Sequence, residues 1–268
     1  LSASVNALPK RCVLITGATG AIGGALARAY ANQNTHLIVH GRQQAALATL
    51  AEACRELGAE VTTSSVNLTD EAALSQWLQT LCAEHTPDIV IANAGKNTHP
   101  QAPGQLEPWD DVQALLDINL KTPIAMAQHL APAMKARGCG QLVFISSLAG
   151  WHGLPTTPTY SASKAGIKAY GEGLRGLLAP YGIGVTVVMP GYVTSPMCNA
   201  MPGPKPFEWP PEKAAKVIKQ GIDANRARIS FPFPLNFGTW WLAVLPAAVS
   251  QWIIKRLGFD HTDHQEGA

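Results

Sequence analysis

The sequence predicts an α/β fold: a doubly wound parallel sheet in a single domain, followed by an apolar C-terminal extension. Three observations carry this. Through the first 190 residues, short apolar, β-branched runs alternate with longer segments of helical period, the order expected of strands joined by crossover helices. The runs are continuously apolar, as strands covered on both faces must be. Only 14% of the 268 residues are charged, against roughly a quarter in an average soluble domain. That composition excludes intrinsic disorder, and the length suits one large α/β domain.

In chain order, Cys12–Thr16 reads as the first strand and leads into a glycine-rich turn and a helix over Ala21–Gln33. Leu37–His40 is the second strand and Gln43–Leu57 the second helix. Val61–Val66, a helix over Asp70–Glu84, and Asp88–Ala92 follow. Trp109–Arg137 is helical, as one helix or as two with Pro123 near a break. Leu142–Ile145, a helix over Thr159–Leu178, and Val185–Met189 complete the alternation. Seven prolines between Pro190 and Pro211 rule out regular structure there and predict a long surface loop, either a lid over substrate or a fixed connector. A helix over Pro211–Ala224 begins at a proline, and Ala227–Phe231 reads as the last strand. The catalytic domain is thereby placed at 10–231, with 190–211 as its substrate loop, and the hydrophobic extension at 232–268.

Net charge is +2 with no basic run, so a nucleic-acid partner is excluded from the reading. Five scattered cysteines form no CxxC pair and have no histidine at metal-ligand spacing. They predict a reducing, cytoplasmic location and no metal site. No charged stretch followed by an apolar core precedes the first strand.

The turn Thr16-Gly17-Ala18-Thr19-Gly20-Ala21-Ile22-Gly23-Gly24 joins the first strand to the first helix. Glycines there permit a tight turn and let backbone N–H groups approach a pyrophosphate at a helix N-terminus, where the dipole favours anions. The position makes the fold Rossmann-like. After the second strand comes Gly41-Arg42, and no Asp or Glu occurs before Glu52. An acidic residue there would suit the ribose hydroxyl of NAD(H), whereas an arginine suits a 2′-phosphate. The expectation is NADP(H), with NAD(H) as the alternative, and Gly41 is expected to leave room for the phosphate. Tyr160 and Lys164 stand four apart at the start of a helix, on one face. An ammonium beside a phenol lowers its pKa and makes it a general acid or base.

With these residues the chain resembles the short-chain dehydrogenase/reductase family, from about Lys10 to Arg228. The landmarks stand in order: the Thr16–Gly23 turn, Asn93-Ala94-Gly95, Asn119, Ser147 thirteen residues before Tyr160, Lys164, and Pro190-Gly191. The resemblance implies that Tyr160 protonates a substrate carbonyl while Ser147 positions its oxygen. Lys164 would hold the nicotinamide ribose and tune Tyr160, and Asn119 would anchor a water chain to Lys164. It also implies a cofactor site of Gly17, Thr19, Gly20, Ala21, Ile22, Gly23, Arg42, Asn67, Leu68, Asn93, Ala94, Gly95, Pro190, Gly191, Val193 and Ser195, besides Tyr160 and Lys164. Three positions depart from the pattern. Ala21 replaces a glycine, Asn67 stands where an Asp commonly contacts adenine and would accept through its amide oxygen, and Ser195 replaces a threonine whose hydroxyl meets the carboxamide. Ser146 reads as structural, because alternation turns it away from Ser147.

Ser147, His152, Leu154, Tyr192 and Met197 are the substrate candidates, with Trp151, Phe207 and Trp209 around them. This lining suits a hydrophobic carbonyl or alcohol. His152 is either a substrate contact or a solvated loop histidine. The activity implied is NADPH-dependent reduction of a hydrophobic, lipid-like carbonyl. The alternatives are an NAD(P)⁺-linked alcohol or steroid-type dehydrogenase and a non-catalytic cofactor-binding regulator. A homo-oligomer is expected.

The tail is uncharged from Ile229 to Ile254. A helix is expected from Pro246 to before Gly258, with Val249, Trp252, Ile253 and Leu257 on one face and Ser250, Gln251 and Lys255 opposite. Pro246 and Ser250-Gln251 interrupt the stretch, which argues against a membrane span. Two roles stay open for 232–258: peripheral contact with a bilayer interface, suited by Trp and Phe beside Lys255-Arg256, or burial against the pocket or a sister subunit.

Overall fold

The computed structural model describes residues 10–98, 100, 105–201 and 204–258. Residues 202–203 of the expected loop and 259–268 of the expected extension lie outside them. Seven parallel strands form one sheet in the order β3-β2-β1-β4-β5-β6-β7. They are β1 (Arg11–Ile15), β2 (Thr35–His40), β3 (Glu60–Ser64), β4 (Ile89–Ala92), β5 (Gly140–Ile145), β6 (Ile183–Pro190) and β7 (Arg228–Phe231). Each lies within two residues of its predicted limits.

Alternation along β1 shows how both faces are used. Val13 and Ile15 are fully buried under α1 (Ala21–Tyr30), α2 (Gln44–Glu56) and α8 (Pro211–Asp223). Cys12 and Leu14 are equally buried on the other face, among residues of α3 (Glu71–His85), α5 (Thr122–Arg137) and α6 (Pro158–Leu178). Two dry faces explain the continuous apolar runs. The strand order reverses beside β1, which pairs with β2 on one side and β4 on the other. This topological switch opens the crevice where such sheets bind ligands.

Three expectations are corrected. Pro123 breaks nothing: α4 (Trp109–Leu116) runs through a π turn at Asp117–Lys121 into α5. Pro123 falls in the first turn of α5, where a missing N–H costs little. The proline-rich stretch is not devoid of structure, for it holds a one-turn helix, α7 (Pro196–Asn199). It is also pinned across its width by an isolated bridge between Val193 and Trp209, and Trp209 stacks on Phe231 at 4.9 Å.

The third correction concerns the tail. It forms two helices, α9 (Leu235–Val244) and α10 (Ala247–Arg256). On α10 the expected apolar face is not the buried one: Ser250 and Ile254 are buried, whereas Val249, Trp252 and Leu257 are exposed, as are Gln251 and Lys255. The reason is a polar anchor, since Ser250 shares a 3.0 Å hydrogen bond with His152. Among the described residues no helix is long and apolar enough to cross a membrane.

Candidate active site

The turn after β1 is built by close backbone approach. Gly17 has φ +64°, and a Cβ there would lie 2.7 Å from Ala94 Cα; one on Gly23 would lie 2.4 Å from Gly17 O. Only glycine fits either position. Asn93 donates through Nδ2 to Thr16 O (3.0 Å) and Gly17 O (3.1 Å). The Thr16 hydroxyl accepts from Asn93 N and Ala94 N, both at 3.1 Å. The β4 exit, Asn93–Gly95, is thereby tied to the β1 exit. Among the described residues, no side chain caps α1 at Gly20, and its first turn carries no acidic group. Thr19, Ala21 and Ile22 complete this turn, half-buried. Uncapped N–H groups facing a glycine cradle fit a pyrophosphate.

Around that cradle the structure modifies the expected roles. Arg42 is exposed at the end of β2. The space expected beside Gly41 is filled, because a Cβ there would meet Thr19 Cγ2 at 2.7 Å. Asn67 is exposed, but its amide oxygen already accepts from Thr69 N (3.2 Å) and Thr69 Oγ1 (3.0 Å). Its remaining donor group faces outward instead. Leu68 is buried, and its carbonyl accepts from the Thr122 hydroxyl at 2.9 Å. The Ser195 hydroxyl caps α7 by accepting from Cys198 N at 3.0 Å, so a carboxamide would share an oxygen already in use.

Ser147, Tyr160 and Lys164 converge where β5 ends and α6 begins. The Ser147 hydroxyl accepts from Ala149 N (3.2 Å) and reaches Pro190 O at 3.5 Å, which fixes it between the ends of β5 and β6. Lys164 is 5% exposed, and its ammonium donates to Ile145 O at 2.9 Å. Burial brings its pKa down to about 8. Burial pushes the Tyr160 phenol up, and the Ser147 hydroxyl pulls it partly back. The expected lowering of Tyr160 by Lys164 is therefore not what this structure holds. The Lys164 nitrogen stands 5.4 Å from the Tyr160 ring centre and is aimed at a carbonyl.

Asn119 is 2% exposed inside the π turn. It clamps the Lys96 backbone, accepting from Lys96 N and donating to Lys96 O, both at 2.9 Å, and donates to Ser163 Oγ at 3.2 Å. A Cβ on Gly95 would lie 2.9 Å from Asn119 Oδ1 and 3.7 Å from Lys164 Nζ. The glycine turn, the β4 exit and the Tyr–Lys helix thus meet in one place. Ser146, by contrast, donates to Lys164 O at 2.7 Å, a structural bond.

The substrate candidates separate into two groups. Trp151, His152 and Leu154 line a cavity of about 620 Å³ with Pro158, Ala162 and Ile254. Its α6 residues, Ser161, Ala162 and Ala165, lie on a different face from Tyr160 and Lys164. Ser147 is not among its walls. His152 is half-buried, and its Nε2 shares a hydrogen bond with Ser250. Tyr192 stays nearer the chemistry: its phenol is pushed up to about 12 by burial, with Cys198 and Tyr160 adding to the effect. Met197 and Phe207 are exposed, and Trp209 packs against the core. Pro190, Gly191 and Val193 carry the chain from β6 past Ser147.

Sequence reasoning overlooked Thr16 as the pin between two strand ends, and Lys96 and Ser163 as Asn119's partners. It also missed Glu107, which accepts from Thr159 N at 3.1 Å and from the Thr159 hydroxyl, holding the start of α6 where a carboxylate suits the dipole. The pairs are 23 to 78 residues apart, and no spacing rule announces them.

A family model described as short chain dehydrogenase matches residues 11–203. An oxidoreductase of Myxococcus xanthus, itself uncharacterized, is 32% identical over 248 residues, covering 92% of this chain and 97% of its own. An NADP-dependent 3-hydroxy acid dehydrogenase of Salmonella typhi is 29% identical, covering 89% of this chain and 91% of its own. Among solved structures, a short-chain dehydrogenase from Sphingobium yanoikuyae in complex with NADPH superposes with a TM-score of 0.77 at 25% identity. That match covers 97% of this chain and 98% of the other.

Proposed function

The chain belongs to the short-chain dehydrogenase family, and from that premise we propose that it is an NADPH-dependent reductase of a hydrophobic, lipid-like carbonyl compound. That it is an NAD(P)-dependent oxidoreductase of a small molecule follows from the family. The observation that carries the finer reading is the convergence of Ser147, Tyr160 and Lys164 against Asn119 and Gly95. The dinucleotide, when bound, supplies the hydride that reaches the carbonyl carbon. Gly17 to Gly23 and the start of α1 would hold its pyrophosphate, Arg42 its 2′-phosphate, and Asn93 to Gly95 the adenosine side.

The protein's own groups handle the oxygen. Tyr160 gives its phenolic proton to the carbonyl oxygen as negative charge develops there. Ser147, held between Ala149 N and Pro190 O, donates to the same oxygen and fixes its direction. The negative charge this leaves on the Tyr160 oxygen would be countered by the buried Lys164 once its ammonium turns from Ile145 O toward the phenol. A preference for NADPH is supported by Arg42 and by the NADP-linked Salmonella and Sphingobium relatives. Apolarity beside the reacting centre is supported by Tyr192 near Tyr160 and by Leu148 with Leu235.

Tyr160→Phe tests the reading. NADPH oxidation with an aliphatic or aromatic ketone should fall by about 10²–10⁴-fold, the usual contribution of a positioned acid. NADPH affinity should change by less than about twofold, since the ring remains. Undiminished turnover would sink the mechanism.

A further inference from the structure

We propose that the α9–α10 segment is a docking surface for an anionic lipid bilayer. α9 carries only two polar side chains, Asn236 and Thr239, yet none of its ten residues is buried. Such a helix is ordinarily covered by a core or by lipid. Eight of the fifteen exposed large apolar side chains among the described residues fall between Phe233 and Leu257. On α9 they form a single stripe, in which Phe237, Trp240 and Trp241 lie within 6.3 Å of one another. On α10 the outward Trp252 continues it, 59% exposed, with the Arg256 guanidinium 5.2 Å from its ring centre.

Composition selects the occupant. Tryptophan and phenylalanine with a cationic fringe are what a membrane interface accepts. Between Ala224 and Phe259 there is no acidic residue, while Lys255 and Arg256 close the stripe. A surface carrying cations and no anions complements anionic headgroups, whereas a second copy would bring it no opposite charge. Depth is limited too, because each helix has ten residues, about 15 Å against a hydrocarbon core of about 30 Å. The segment therefore lies in the interface and does not span. The inward side holds it to the body through Leu235 packed on Leu148 and through the His152–Ser250 bond.

The test is co-sedimentation of the full chain with vesicles of phosphatidylcholine alone and of phosphatidylcholine mixed with phosphatidylglycerol. The wild type should bind the mixed vesicles and lose binding as salt is raised. Trp241→Ser with Trp252→Ser should weaken it by at least about tenfold. Lys255→Gln with Arg256→Gln should weaken it about thirtyfold, the effect of removing two interfacial cations. NADPH affinity and thermal midpoint, unchanged in both variants, show that each is folded. Wild-type protein that stays in the supernatant overturns the proposal, as does binding indifferent to the tryptophans. A dimer in light scattering that the same substitutions dissociate also overturns it, since a second copy would then cover the face.

Discussion

Lys164 is buried, and among the described residues its ammonium donates to one carbonyl, Ile145 O, so its position should be visible in the pH dependence of stability. Its pKa falls from 10.5 to about 8 in the fold. Below pH 8 both states carry the proton and the cost of burying it is complete. Between 8 and 10.5 the unfolded chain keeps a proton that the folded chain has released, so this residue's contribution rises with pH. Tyr192 and Cys12, both pushed up to about 12, act in the opposite direction, because the unfolded chain deprotonates them first. Subtracting a Lys164→Met variant isolates the lysine. In urea unfolding of cofactor-stripped protein, the wild type should gain about 3 kcal/mol on the variant between pH 7 and 10.5. A flat difference would mean that water reaches the ammonium. At Arg42 the expectation concerns selectivity: Arg42→Ala should weaken NADPH by about 10–100-fold, the loss of a charged hydrogen-bond pair, and leave NADH within about twofold. Equal losses for both would remove Arg42 from the phosphate site.

Among the elements, α6 has the narrowest tolerance. It crosses β5 and β6 at Gly171, where a Cβ would lie 2.6 Å from Val187 Cγ2 and 3.1 Å from Phe144 Cδ2. Gly171→Ala should cost about 1–3 kcal/mol in urea unfolding, because Val187 is branched and cannot turn away. It should also reduce turnover, since Tyr160 and Lys164 ride on the same helix. The strands were legible because Leu142–Ile145 or Val185–Met189 bury both faces and leave an unbroken apolar word. The glycine turn and the Tyr160–Lys164 pair were legible for a related reason, since each is local in sequence. Asn119's clamp on Lys96 and Ser163, and Thr16's pin on Asn93, join distant segments and depend on the register of β1 with β4. α9 was missed on physical grounds as well. Phe231-Pro232-Phe233-Pro234 reads as a breaker, and between Leu235 and Val244 only Asn236 and Thr239 are polar, too few to set a helical period. The misread face on α10 has one source: Ser250 looked like solvent-facing polarity until His152 supplied a buried partner.

At the scale of the whole molecule, the dinucleotide crevice spans the point where strand order reverses, so a bound cofactor ties together the β1–β3 half and the β4–β7 half. NADPH at a hundred times its dissociation constant should stabilise the fold by about 2.7 kcal/mol. For a chain of this size that corresponds to a rise of about 5 °C in thermal midpoint, and NADH at the same concentration should give less. Equal shifts would point to a site that ignores the 2′ position.

Leu235, at the head of α9, rests on Leu148 one residue beyond Ser147, and Gly191 is held close by Pro232 and Leu235. The family model ends at residue 203, so one wall beside the reacting centre comes from outside the part that defines the family. Redox machinery and that wall therefore lie in different stretches of the sequence. Mutation and selection acting after residue 203 can retune what reaches Ser147 while Tyr160, Lys164 and Asn119 stay as they are.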